Sequence, residues 1–441
     1  MDAPKHFESL YPEDTRHEEI SELIPFIQKG QSVQLVGLPG AGKNNILNLL
    51  SYNKEVREKH FGKYETTIHF VYIDCSETKN RPLTDFIKFV LISLSYSLNE
   101  RAMTEEASTI NEILKEALSF QDELILFQGL KKSIDYLTAE KKLTIIFSLD
   151  RFDEALSSVT SQFFANLKIL RNRAKYRFSV IFGISRPLEE LIDPMMLSEF
   201  YDFVVGNIIY VRLYDESGMA FRLSFLEKST RDKRDEKVKM ELIRLTGGHG
   251  KLTRISYESV LSELGKIDKL EEFLLKKPTV QGALFEIWSS LLPSEQIALK
   301  APALGKGDTT PQFTEHVGLV KNGAITIPLL EKYLSTLSVQ STQKIEYDSD
   351  KNDILQGGVS ISEKLSPSEF KLLLYLINNT GRICTKDEII QSVWKEQKTL
   401  EGVTDQALDQ IFYRLRKKVE EDPANPHYIH TIKGKGYKFD N

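Results

Sequence analysis

The sequence predicts an α/β core in which a parallel sheet carries helices on both faces, followed by a helical region and two winged-helix domains. Three observations lead there. Between residues 33 and 186, short apolar runs alternate with amphipathic helical stretches, the pattern of strand–helix units in a parallel sheet. A glycine-rich turn joins the first apolar run to a helix. From residue 359 onward the pattern changes to three amphipathic helices closed by an alternating strand pair.

In order, "VQLV" (33 to 36), "IHFVYIDC" (68 to 75), "LTIIFSLDRFDE" (143 to 154) and "FSVIFGISR" (178 to 186) read as strands, three of them ending in polar or charged residues. Ligands of such sheets bind beyond the carboxyl ends of the strands, so these ends converge on one expected site. We assign 1–211 to this core, 212–278 to a helical region and 279–335 to a small winged helix around "GLVKNGAITI". The polar stretch 336–358 reads as a linker, and 359–441 as the C-terminal domain.

A chain of 441 residues exceeds one ordinary core. It has no apolar run of roughly eighteen residues, and its start is acidic and polar, so we expect no membrane segment and a cytoplasmic protein. Cys75 and Cys384 lack paired metal-ligand spacing and read as buried free thiols. The net charge of −5 argues against a uniformly basic nucleic-acid coat but permits a basic patch in one domain.

Gly37, Leu38, Pro39, Gly40, Ala41, Gly42, Lys43 and Asn44 match the phosphate-loop pattern G-x-x-x-x-G-K-[ST] except at its last place. The glycines let backbone N–H groups wrap a phosphate, the helix that opens at Lys43 and Asn45 adds its dipole, and Lys43 adds a charge. Asn44 replaces the hydroxyl that ligates Mg²⁺, which should leave the ion weakly held and hydrolysis slow. Asp150, at a strand end, is the candidate metal-holding carboxylate, Asp153 and Glu154 are candidates to orient water, and Arg186 is positioned to reach a γ-phosphate.

Together "GLPGAGK", "LDRFDE", "GISR" and "LTGGHG" (245 to 250) resemble the STAND and AAA+ ATPases, including the origin-recognition type. The resemblance implies an ATP- or ADP-bound switch whose helical region acts as a lid, closed with ADP and open, often oligomeric, with ATP. It places His249 in the lid turn beside the nucleotide, although Gly250 stands where the family has proline. It also places "YPEDTR", ending at Arg16, over the adenine.

In the C-terminal domain, Ser366 and Thr385 are candidate helix caps, and Leu408, Ile411, Phe412, Leu415 and Val419 form one apolar stripe. "LDQIFYRLRKK" and "IKGKGYKF" closely resemble the recognition helix and wing of the OmpR/PhoB-type winged-helix DNA-binding domain. That resemblance implies base contacts by Gln406, Gln410, Tyr413 and Arg414, and phosphate contacts by Arg416, Lys417, Lys433 and Lys435. Acids Asp405, Asp409, Glu420 and Glu421 dilute the positive face, which favours binding as a homo-oligomer.

The leading expectation is a nucleotide switch regulating a domain that binds double-stranded DNA, as a transcriptional regulator or stress and defence sensor. The alternatives are a DNA-remodelling or loader ATPase, and a scaffold in an anti-phage complex whose winged helix recruits an effector protein. Asn44 separates the first two, because rapid cycling needs a well-placed metal.

Overall fold

The computed structural model describes residues 6–119, 122–231, 233–263, 269–300, 311–337, 344–349, 351–356, 359–393, 405–420, 423, 426–432 and 434–440. The chain divides into two compact units, Met1–Ser335 and Thr336–Asn441.

In the first unit, β1 (Val33–Val36), β2 (Ile68–Asp74), β3 (Thr144–Asp150), β4 (Phe178–Ile184) and β5 (Ile208–Tyr210) form one sheet in the order β2-β3-β4-β1-β5, parallel throughout. Every residue of β1 and β4 is buried, as continuous apolar runs require when helices cover both faces. Phe147 and Phe178 pack edge to face at 5.1 Å between ring centres, as do Phe152 and Phe182 at 5.0 Å. The chain runs from β1 outward to β2, returns through β3 and β4, then crosses β1 to β5, so the direction of strand succession reverses beside β1. This reversal opens a crevice at the carboxyl ends of β1, β3 and β4.

Helices Glu216–Thr230, Glu236–Thr246 and Gly250–Leu261 follow the sheet. After them come helices Pro278–Ser289 and Pro293–Lys300, and a hairpin of β6 (Val320–Lys321) and β7 (Ala324–Ile325). Asn322 and Gly323 both have positive φ, the conformation a two-residue hairpin turn demands. The regions 212–278 and 279–335, expected as separate domains, belong with the core in one unit.

The second unit corrects the linker expectation. β8 (Ile345–Asp348), β9 (Asp353–Gln356) and β10 (Val359–Ser360) form an antiparallel sheet, and Ile345 and Ile354 are fully buried in the unit's core. Helices Pro367–Asn378, Lys386–Val393 and Asp405–Val419 pack around Leu372, Leu373, Leu376 and Phe412. A second sheet, β11 (Ile383–Cys384), β13 (Gly436–Phe439) and β12 (Ile429–Ile432) in that order, closes the core. Gly436 has φ +127°, and a Cβ there would stand 2.1 Å from the carbonyl oxygen of Cys384, so only glycine lets β13 approach β11. Both cysteines are buried free thiols.

Candidate functional site

The loop Gly37–Gly42 leaves β1 at the crevice, and the helix Lys43–Tyr52 begins where it ends. Gly40 and Gly42 have φ +76° and +117°, which turn the backbone around the crevice. Lys43 Nζ rests on the carbonyls of Gly37 and Leu38, at 2.5 and 3.2 Å, and burial holds its pKa below the usual lysine value. The cavity above the loop has a volume of 580 Å³ and is lined by the glycine loop, Asp150, Asp153, Glu154, Tyr11 and Arg16. Such a volume lies within the ordinary range for small-molecule sites. Two buried donors in its lining, Asn45 Nδ2 and Arg16 Nε, have no hydrogen-bond partner.

Asn44 does not stand free. Its Nδ2 donates to Asp150 Oδ2 and to the Tyr72 hydroxyl oxygen, both at 2.8 Å, and Tyr72 itself donates to the same Asp150 oxygen at 2.8 Å. Asn48 Nδ2 donates to Asn44 Oδ1 at 3.0 Å, and the Arg151 backbone N–H donates to Asp150 Oδ1 at 3.0 Å. Turning the amide over would aim its carbonyl at the carboxylate, so the charge of Asp150 decides the orientation. Burial and Asp150 raise the Tyr72 pKa, which keeps the phenol a donor.

This arrangement does not fit Mg²⁺, which needs oxygen ligands at near-octahedral geometry. Asp150 already accepts three hydrogen bonds, and Asn44 offers it N–H rather than oxygen. Among the described residues no group of three or more His, Cys, Asp or Glu side chains is placed to hold a metal ion.

Asp153 accepts from the Ser185 backbone N–H at 2.8 Å, tying the ends of β3 and β4 together, and Glu154 pairs with Lys79 at 3.1 Å. Arg186 lies elsewhere. Its guanidinium is buried, forms a two-pronged ion pair with Glu295 and lies 3.6 Å from the centre of the Phe313 ring. This corrects the expectation of a γ-phosphate contact, because Arg186 does not line the cavity and its donors face a carboxylate from the helix Pro293–Lys300. The cations that do line the cavity beside Lys43 are Arg16, Arg151, Arg222, Lys251 and Arg254.

The helical region bonds directly to the loop. His249 caps the helix Gly250–Leu261, its Nδ1 accepting from the Leu252 N–H at 3.2 Å, and its Nε2 donates to the Pro39 carbonyl at 2.8 Å. Burial pushes the His249 pKa down to about 4, so the ring is neutral with its proton on Nε2. The Lys251 N–H donates to the Gly40 carbonyl at 3.0 Å. Arg16 is clamped the same way: its guanidinium donates to the Ala41 carbonyl at 2.5 Å, the Arg212 carbonyl at 2.8 Å and Glu19 at 3.0 Å. Asp215, which the sequence did not single out, caps the helix Glu216–Thr230 and accepts from the Arg16 N–H at 3.2 Å. At the cavity edge Arg222 donates to the Tyr11 hydroxyl at 2.8 Å, where Leu213, Gly218 and Met219 supply apolar lining.

In the second unit the stripe on helix Asp405–Val419 faces inward: Leu408, Phe412, Leu415 and Val419 are buried, and Ile411 packs against them. Gln410, Tyr413, Arg414 and Lys417 are exposed, with the Lys417 ammonium 4.6 Å from the Tyr413 ring centre. Arg416 is turned to its own hairpin instead, donating to the Ile429 carbonyl at 3.0 Å and Thr431 Oγ1 at 2.7 Å, which corrects its assignment to phosphate. Lys435 is exposed, whereas Lys433 and the Gln406 side chain lie outside the described residues. Two acids expected to dilute the positive face are engaged within the fold: Asp409 pairs with Lys386 and accepts from Tyr437, and buried Glu420 accepts from the N–H groups of His427, Tyr428 and Ile429. Ser366 and Glu369 form a reciprocal cap on helix Pro367–Asn378, and Thr385 and Glu388 exchange the same bonds.

Residues 362–439 match the family described as "Transcriptional regulatory protein, C terminal". Over 72 residues the chain is 44% identical to the sensory transduction protein RegX3 of Mycolicibacterium smegmatis, covering 16% of this chain and 30% of that protein. It is 40% identical over 77 residues to the alkaline phosphatase synthesis transcriptional regulatory protein PhoP of Bacillus subtilis, covering 18% and 31%. The chain thus spans about a third of the length of these curated relatives. Among solved structures, the RstA DNA-binding domain of Klebsiella pneumoniae, crystallised with its RstA box, matches at 27% identity with a TM-score of 0.19, covering 23% of this chain and 97% of that one. A Walker-type ATPase of Pyrococcus abyssi matches at 14% identity with a TM-score of 0.47, covering 75% and 97%. Cdc6p of Pyrobaculum aerophilum matches at 14% with a TM-score of 0.36, covering 90% and 97%. The C-terminal domain is therefore of the OmpR/PhoB type found in transcriptional regulators, and it is fused to a core built as a parallel sheet with a glycine-rich loop of the phosphate-loop pattern after its first strand.

Proposed function

We propose that the chain is a nucleotide-binding switch of the STAND kind that governs its C-terminal DNA-binding domain. ATP or ADP occupies the loop cavity, hydrolysis is slow or absent, and the protein acts on double-stranded DNA as a homo-oligomer. The observation that carries this reading is the direct bonding of the helical region to the phosphate loop, through His249 to Pro39 and Lys251 to Gly40. A phosphate takes the loop's N–H groups while these bonds hold carbonyls of the same turn, so any change in the loop's peptides on filling is felt by the lid, and loop occupancy and lid position are linked. The partnerless donors at Asn45 and Arg16 support an anionic ligand in the cavity.

Exposed Gln410, Tyr413, Arg414 and Lys417 on one helix favour duplex DNA as the output over an effector protein. The bonding of Asp150 by Asn44 weighs against a loader or remodelling motor, which must cycle rapidly with metal. The test is a titration of the full chain with a fluorescent adenine nucleotide, beside its Lys43→Ala variant. Binding that falls by tenfold or more in the variant, on the order of 1.4 kcal/mol or above, supports the reading. Equal binding by both proteins removes the loop as the nucleotide site.

A further inference from the structure

The geometry around Asn44 points to more than slow chemistry. Resting on the nucleotide reading above, we propose that the loop cavity takes a nucleoside diphosphate without a divalent cation, the Asn44 amide and Tyr72 hydroxyl serving Asp150 in the ion's stead.

A metal at a phosphate loop does two jobs. It neutralises the carboxylate at the neighbouring strand end, and it bridges the two outer phosphates of a triphosphate. Here the first is done by hydrogen bonds. Asp150 is almost fully buried, at 1% exposure, yet its Oδ2 accepts from Asn44 and Tyr72 and its Oδ1 from the Arg151 N–H. A buried carboxylate with three donors is satisfied without an ion. To admit a cation, Asn44 must leave both Asp150 and Asn48, and Tyr72 must turn away; several bonds are lost before one coordinate bond forms.

The second job is left open, because Arg16, Arg151, Lys251 and Arg254 in the cavity wall are each paired with a carboxylate, Glu19, Asp74, Glu286 and Glu258, and this selects the ligand. A diphosphate is met by the loop N–H groups and by Lys43, whose ammonium rests on two carbonyls rather than on a carboxylate. Asp150, Asp153 and Glu154 also line the cavity, so a third phosphate would add its charge to a wall that already carries three carboxylates. The arginine expected to meet it, Arg186, is held by Glu295. Without a bridging cation, like charges then face one another, so the diphosphate binds more tightly than the triphosphate.

The experiment is calorimetric titration of the full chain with ADP and with ATP, each in excess Mg²⁺ and in EDTA, repeated with Asn44→Ser. The expected result is an ADP affinity that EDTA leaves unchanged within about twofold, an ATP affinity in EDTA about tenfold or more weaker than that of ADP in EDTA, and a gain of Mg²⁺ dependence in Asn44→Ser. ADP binding by the unaltered chain that weakens about tenfold or more in EDTA overturns the inference while leaving the switch standing. Absence of binding under every condition defeats the nucleotide reading itself. The unaltered chain carries the decision even where Asn44→Ser fails to fold.

Discussion

At Gly248 the backbone adopts φ +72°, and a Cβ would stand 2.4 Å from the Tyr214 ring. Gly248→Ala should therefore cost about 1–3 kcal/mol of unfolding free energy, read as a lowered denaturation midpoint in urea; an unchanged midpoint would show that the turn relaxes. The place of Lys43 in the loop was legible from spacing alone, because the loop pattern is local, whereas the second use of Gly40 and Gly42, which make room for Lys251 and Arg16, was not. The partners of Asn44 were not legible. Tyr72 and Asp150 lie 28 and 106 positions away, and one amide letter carries no hint that it will donate to a buried acid. Arg186 misled for the same reason, since its strand-end position was plain and its partner Glu295, 109 residues on, was not.

Among single elements, helix Asp405–Val419 separates two arginines by function. Arg414 is exposed and Arg416 is bonded to β12. Arg414→Ala should weaken duplex binding by about 1–3 kcal/mol and leave the melting temperature unchanged. Arg416→Ala should instead cost about 1–2 kcal/mol of stability through its lost bonds to the Ile429 carbonyl and Thr431, with weaker DNA binding only as the fold is lost. The reverse outcome in a paired melting and binding assay would return Arg416 to the interface. The amphipathic stripe of this helix was readable because it repeats at the helical period. Strands β8 and β9 escaped notice because Ile345 and Ile354 are their fully buried apolar residues, set among acids and glutamine that carry no clear alternation.

Over the whole molecule, the parallel sheet and the site at its carboxyl ends followed from the alternation of strands and helices, whereas the strand order, the short β5 and the grouping of residues up to Ser335 in one unit did not, because they depend on contacts distant in sequence, such as those of Arg186 and His249. Two buried histidines and one half-buried one also set a pH response of that unit. Burial lowers His249 and His60 to about 4 and His69 to about 3. Folded histidines then refuse protons that the unfolded chain accepts near pH 6.5, so their stabilisation is complete above that pH and is lost as pH falls towards 4. Asp215, whose carboxyl burial raises, acts in the opposite sense, while Glu227, which Lys239 and Tyr257 hold below the usual carboxylate value, acts with the histidines. The unfolding midpoint of the first unit should drop between pH 7.5 and pH 5, and a flat midpoint across that interval would mean the rings are hydrated in solution. No described helix is long and apolar enough to cross a membrane.

The central claim is that nucleotide at the loop governs DNA binding by the C-terminal domain. Its most direct test is a salt-matched fluorescence-anisotropy titration of the full chain against a duplex selected from a random library by the same protein, without nucleotide, with ADP and with ATP. The expected result is an affinity that changes by about tenfold or more between nucleotide states and stops changing in Lys43→Ala. Superimposable curves in all three states, from a protein that demonstrably holds nucleotide, would contradict the switch.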